Sequence, residues 1–194
     1  MEKYRLEMFS DGVLAIIITI MVLEIDGQVG NAFNDLTSLF PAFFSYVLSF
    51  TYVGIYWKNH CHLMQSISKI NAQILWANLH FLFWLSLIPI STKWMGVHYF
   101  AKTTLTFYGI ILFLCSISFW MLQNSIIANE GKESRIAIAV GKDAKGKLSF
   151  ILYFVAIFCS FYSELISVFI YISALMIWLI RDKKIEKKIN SDKC

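Results

Sequence analysis

Charge is scarce in these 194 residues: Asp, Glu, Lys and Arg make up 15%, against 58% apolar and 16% aromatic residues. With a mean hydropathy of +0.62, that balance excludes an ordinary water-soluble domain, in which about a quarter of residues are charged. Two prolines and nine glycines are too few for a disordered tail or an all-β scaffold. The four cysteines, Cys61, Cys115, Cys159 and Cys194, show no close pair and no zinc or redox spacing, and read as reduced and structural. Also missing are H-E-x-x-H, G-x-S-x-G, G-x-x-x-x-G-K-[ST] and a G-x-G-x-x-G turn, so nothing supports ATP-driven transport or a membrane hydrolase. The expectation is a non-enzyme that needs no cofactor, holds no structural metal and binds no nucleic acid.

What is present is apolar sequence in long runs. Uncharged stretches cover Leu36 to Trp57, Ile70 to Thr92 and Thr103 to Asn129, 22, 23 and 27 residues, each enough for a bilayer-crossing helix. Gly12 to Leu23 offers only twelve, between Asp11 and Glu24, so a first helix must carry charge at its ends. Between Lys147 and Arg181 lie 33 residues whose only charge is Glu164; one helix of that length would run about 50 Å against a core of about 30 Å. Two short helices turning near Tyr162 to Leu165 fit better. The expected spans are 6-25, 36-57, 70-92, 103-128, 147-163 and 165-181, in one all-α domain over 1-194.

Basic residues test the count, because cytoplasmic loops are enriched in Lys and Arg. With six spans and both termini cytoplasmic, 15 of the 17 basic residues fall inside and only Lys93 and Lys102 outside, whereas five spans would leave 9 against 8. Six is therefore expected, with the first helix itself the insertion signal, since no small-residue cleavage site follows it. The chain should sit in a bilayer as a multi-pass protein.

Two patterns near expected helix ends are decoys. His60-Cys61-His62, assigned to the first inner loop, lacks an acidic partner, and a hydrogen-bonding or pH-sensitive loop is favoured over a metal site. Thr51-Tyr52-Val53-Gly54-Ile55-Tyr56 resembles a T-V-G-Y-G selectivity filter but lacks the second glycine and lies within an unbroken span. Carbonyls there are occupied by helix hydrogen bonds and cannot replace an ion's water. In the third span, Asn71, Gln73, Asn78 and His80 put polar groups on two faces, so this helix cannot look only at lipid; Asn78 and His80 read equally as functional groups or interhelical glue.

The N-terminal stretch from Arg5 to Ile25 is the most specific. Ser10 or Asp11 could simply cap a helix, with Gly12 a turn residue. Alternatively, Ile16, Thr19, Ile20 and Leu23 fall within about 100° of one another on a helix. Such a stripe, branched apolar residues with one hydroxyl, could line a narrow dry pore, while Ser10 and Asp11 tie the helix to its neighbours. Pattern alone favours packing over a pore.

The motif R-x-x-x-F-S-D at Arg5, Phe9, Ser10 and Asp11, then Ala15, Ile16 and Thr19, then Leu23-Glu24, resembles the endolysosomal potassium channel family, transmembrane protein 175. Weaker likeness follows in Tyr56-Trp57-Lys58-Asn59-His60 and in Asn78 with Ser86-Leu87-Ile88-Pro89, so recognisable pattern covers about half the chain. The resemblance implies a bacterial member with a single six-helix repeat, assembled as a homotetramer in the cell membrane. It implies a pore lined by helix one at Ile16, Thr19 and Leu23, with Ile20 an alternative liner, the bulky rings constricting it and the threonine contributing potassium preference. It also implies a polar network behind the pore from Arg5, Phe9, Ser10 and Asp11, joined by Trp57 and by His80 or His60. Glu24 and Asp26 would mark an acidic outer mouth. The implied function is a passive, potassium-selective or weakly selective cation channel closed by hydrophobic constriction; the alternative is a secondary cation or proton-coupled transporter using Asp11 and His80 as a relay.

Overall fold

The computed structural model describes residues 2–25, 36–131, 133–140 and 144–179. Among them there are eight helices and no strand: α1 (Lys3–Leu23), α2 (Leu36–Gln65), α3 (Ala72–Ser86), α4 (Ile88–Val97), α5 (Lys102–Glu130), α6 (Arg135–Val140), α7 (Ala144–Ser160) and α8 (Glu164–Leu179). Four segments are long and apolar enough to cross a bilayer: 3–23, 37–65, 72–97 and 102–130, the third formed by α3 and α4 together. α8 is apolar but shorter. In lipid the helix is the natural form for these runs, because it satisfies every internal backbone N–H and C=O within the segment.

The second and third spans differ from those expected. α2 does not stop at Trp57 but continues two turns to Gln65, so the His60-Cys61-His62 stretch is helical and not a loop. Long polar side chains at a helix end can reach the interface while the backbone stays helical, so Lys58 marks no terminus. The third segment continues past Thr92 to Val97 but is interrupted at Leu87, whose N–H bonds the Trp84 carbonyl three residues back. Pro89 enforces the break: it has no N–H to offer Leu85, and it sits at the start of α4, where a missing donor costs least. The chain turns between α7 and α8 at residues 161–163.

Two apolar clusters organise the bundle. In one, Leu6, Leu14, Ile17 and Met21 of α1 pack with Val53 and Leu63 of α2, Phe81 and Leu85 of α3 and Cys115 and Leu122 of α5. In the other, Tyr52, Met95, Tyr108, Tyr153 and Tyr171 bring α2, α4, α5, α7 and α8 together. Small residues set the closest approaches: a Cβ on Gly96 would stand 2.8 Å from Ala42 Cα, and one on Gly109 would stand 1.9 Å from the Tyr171 hydroxyl. Such contacts matter in lipid, where helix association relies on close packing and interhelical hydrogen bonds. α1 packs against α2, α3 and α4 along one face and leaves its other face uncovered.

Candidate functional site

The uncovered face of α1 is the expected stripe. Ile16, Thr19, Ile20 and Leu23 are all exposed, Ile16 at 60% and Leu23 at 76%. The buried side, Leu6, Ser10, Leu14, Ile17 and Met21, is rotated from the stripe by about 120° at 100° per residue. The Thr19 hydroxyl donates to the Ala15 carbonyl at 2.9 Å. Its single proton is thereby committed to the helix, and its oxygen presents lone pairs outward. Phe9 and Arg5 belong to the same exposed side.

Behind this face, two hydrogen-bonded units hold the N-terminal half of α1. The first is buried. Ser10 donates from Oγ to the Leu6 carbonyl at 2.9 Å, so it can only accept from Asn78 Nδ2, also at 2.9 Å. That orientation turns Asn78 Oδ1 toward His60 Nε2, 2.8 Å away. An amide oxygen only accepts, so His60 must carry its proton on Nε2. The chain of donors therefore runs His60 to Asn78 to Ser10 to Leu6, linking α2, α3 and α1. All three side chains are at most 1% exposed, and His60 stacks on Phe81 with ring centroids 5.8 Å apart. The second unit is exposed: Trp57 Nε1 donates to Asp11 Oδ1 at 3.0 Å.

The structure thus brings Ser10, Asp11 and Trp57 to the interface of α1 with its neighbours, and of the two candidate histidines it is His60 that reaches this site. His80 lies exposed on α3 and accepts from Trp84 Nε1 at 2.9 Å, one turn along its own helix. A relay from Asp11 to His80 therefore finds the two residues in separate pairs. Arg5 is exposed, and no salt bridge among the described residues includes it. Thr51 to Tyr56 is helical throughout, with Thr51 donating to the Val47 carbonyl.

At its C-terminal end, Glu24 caps α1 and meets Lys93 of α4, Oε2 to Nζ 2.6 Å. Asp26 lies outside the described residues. Sequence reading counted Lys93 among the outer basic residues but did not pair it with Glu24; its signal was an isolated charge in the otherwise uncharged stretch from Ile70 to His98. Between α1 and α4 an open groove of about 520 Å³ is lined by Val13, Ile16, Ile17, Ile20, Pro89 and Ile90, with Glu24, Lys93 and Ser86 as its polar members.

Comparison with known proteins accords with this arrangement. The family described as endosomal/lysosomal potassium channel TMEM175 matches residues 5–89, the part of the chain that contains all but the first two residues of α1, both anchoring units and the break before α4. A potassium channel of Chryseobacterium sp. (strain P1-3) is 48% identical over 192 residues, covering 99% of this chain and 100% of that protein. One from Streptomyces collinus is 33% identical over 100 residues, 49% of this chain and 48% of that one. The crystal structure of a lysosomal potassium-selective channel TMEM175 homolog from Chamaesiphon minutus superposes with a TM-score of 0.81 at 25% identity, covering 94% of this chain and 98% of that one. The uncovered stripe of α1, its buried Ser10 anchor and near full-length likeness to a bacterial relative together make this membrane protein a member of the TMEM175 potassium channel family.

Proposed function

We propose that the chain forms a passive potassium-selective or weakly selective cation channel, a homotetramer in a bacterial cell membrane whose axial path is lined by four copies of α1. The observation that carries this reading is the uncovered stripe of Ile16, Thr19, Ile20 and Leu23, set against a buried face that anchors the same helix. One such helix cannot enclose a path alone, so symmetric copies must close it. The relatives named as potassium channels supply the ion.

In this reading Ile16, Ile20 and Leu23 form rings without polar atoms. They exclude water while the helices are close and admit it when they part. Thr19 contributes the outward oxygen that can replace part of an ion's hydration, its proton being held by Ala15. Ser10, Asn78, His60, Asp11 and Trp57 fix the rotation of α1, which determines which side chains face the path. Arg5 on the exposed side would find its acidic partner, the Asp11 carboxylate, on a neighbouring copy.

Purified protein in planar bilayers under a potassium chloride gradient should give unitary currents reversing toward the potassium equilibrium potential, and mild-detergent cross-linking should yield tetramers. Fluxes confined to transporter rates, or cross-linked species that stop at dimers, would overturn the proposal.

A further inference from the structure

The two halves of α1 are tied to the rest of the chain in different ways. The N-terminal half is held by hydrogen bonds, one of them to the Asp11 carboxylate, and by Lys3, which donates to the Gln65 carbonyl at 3.0 Å. The C-terminal end is held by an ion pair, Glu24 to Lys93 at 2.6 Å. Its partners come from elements that the break at Leu87 and the α1–α2 connection separate in sequence by 69 positions. The pair stands at the polar end of an otherwise apolar groove whose α1 wall includes Ile16 and Ile20. The other polar member, Ser86, donates to the Phe83 carbonyl. Both charged side chains are partly open to solvent, Lys93 at 40% and Glu24 at 36%, so they are within reach of ions in the outer solution.

From this geometry we infer that Lys93 is a tethered cation that masks the Glu24 carboxylate and so sets the charge met by ions entering the outer mouth. The inference rests on the pore reading: in a ring of four copies, four carboxylates are each cancelled by an ammonium of the protein. The Glu24 ring then neither concentrates cations strongly nor gathers enough free carboxylate oxygen to hold a hard divalent ion. Without Lys93, the four carboxylates would do both, drawing monovalent cations by long-range attraction and offering Ca²⁺ the oxygen ligands it prefers.

The test uses the full-length tetramer in planar bilayers, comparing wild type with Lys93→Met, Lys93→Gln, Lys93→Arg, Glu24→Gln/Lys93→Met and, as a control on the pore itself, Ile16→Asn. At about 20 mM potassium chloride, Lys93→Met and Lys93→Gln should raise unitary conductance about threefold, and the difference should vanish near 1 M, where the screening length is about 3 Å. Both should also acquire block by outer Ca²⁺. Lys93→Arg should behave as wild type, and the double variant should lose both the excess conductance and the block. Wild-type conductance and no Ca²⁺ block in correctly assembled Lys93→Met and Lys93→Gln would overturn the inference. An increase that persists at 1 M would overturn it too, because it would report a wider path and not an unmasked charge. If Ile16→Asn raises conductance while the Lys93 variants change nothing, the pore reading stands and this inference alone falls; if Ile16→Asn is also silent, both fall. A zero-length carbodiimide cross-link offers a readout independent of current. Wild-type tetramer should yield a Glu24–Lys93 isopeptide by peptide mass, and its absence under conditions that join Lys3 to Glu7 would refute the pairing.

Discussion

Replacing Asn78 with alanine should destabilise the bundle more than any other single change in the anchor of α1. Asn78 is fully buried and serves two partners, donating to Ser10 at 2.9 Å and accepting from His60 at 2.8 Å. Truncation leaves Ser10 almost unharmed, since its proton still goes to Leu6. It strands the His60 Nε2 proton at a site 1% exposed, at a cost of about 1–3 kcal/mol, and the vacated amide volume adds about 1 kcal/mol. The expected loss is therefore about 2–4 kcal/mol, read as a shift in denaturant-induced unfolding of the detergent-solubilised protein. The double variant Asn78→Leu/His60→Leu removes both partners of one bond, so it should cost less than the sum of the two single changes by about 1 kcal/mol, as expected for an interhelical pair in a membrane protein. Strict additivity, or a loss below about 0.5 kcal/mol for Asn78→Ala, would show that the three side chains do not act as one hydrogen-bonded unit.

On the proposed pore reading, Ile16→Asn should wet the constriction and raise conductance while weakening ion discrimination, whereas Thr19→Val should shift the potassium to sodium permeability ratio without holding the channel open; bi-ionic reversal potentials separate the two. Asp11→Ala should lower tetramer yield on size-exclusion chromatography more than Glu2→Ala, because it removes the acceptor of the Trp57 bond and the acidic group available to Arg5. Gly109→Ala should cost about 2–4 kcal/mol, since the new methyl would meet the Tyr171 hydroxyl at 1.9 Å and push it off the Leu105 carbonyl. Gly54→Ala, with nothing within 4 Å of the added carbon, should be neutral or stabilising in the same unfolding assay. Tyr99 sits at φ 51° and is 69% exposed; Tyr99→Asn should raise stability by about 0.5–1 kcal/mol, because asparagine tolerates that backbone region better, and an unchanged melting temperature would count against strain there.

The membrane character and the placement of the long apolar runs were legible in the sequence because they depend on composition alone: a bilayer core admits few charges, and twenty or so uncharged residues have no better form in it than a helix. The stripe of Ile16, Thr19, Ile20 and Leu23 was legible for a similar reason, since helical angles follow from residue numbers. Which face of α1 is covered does not follow from those angles, and packing decided it by burying Leu6, Ser10, Leu14, Ile17 and Met21 against α2, α3 and α4. The break at Leu87 had a sequence signal in Pro89, yet a proline tells only that one hydrogen bond is missing and not whether the helix bends, stops or restarts. The choice between His60 and His80 lay beyond sequence altogether. His60 lies in the last turns of α2 and His80 midway along α3, and only the crossing of α2 and α3 beside α1 puts His60 against Asn78 while leaving His80 to Trp84. Glu24 and Lys93, far apart along the chain, meet through that same packing: local chemistry sets what each residue can bond, and tertiary structure sets which partner is within 3 Å.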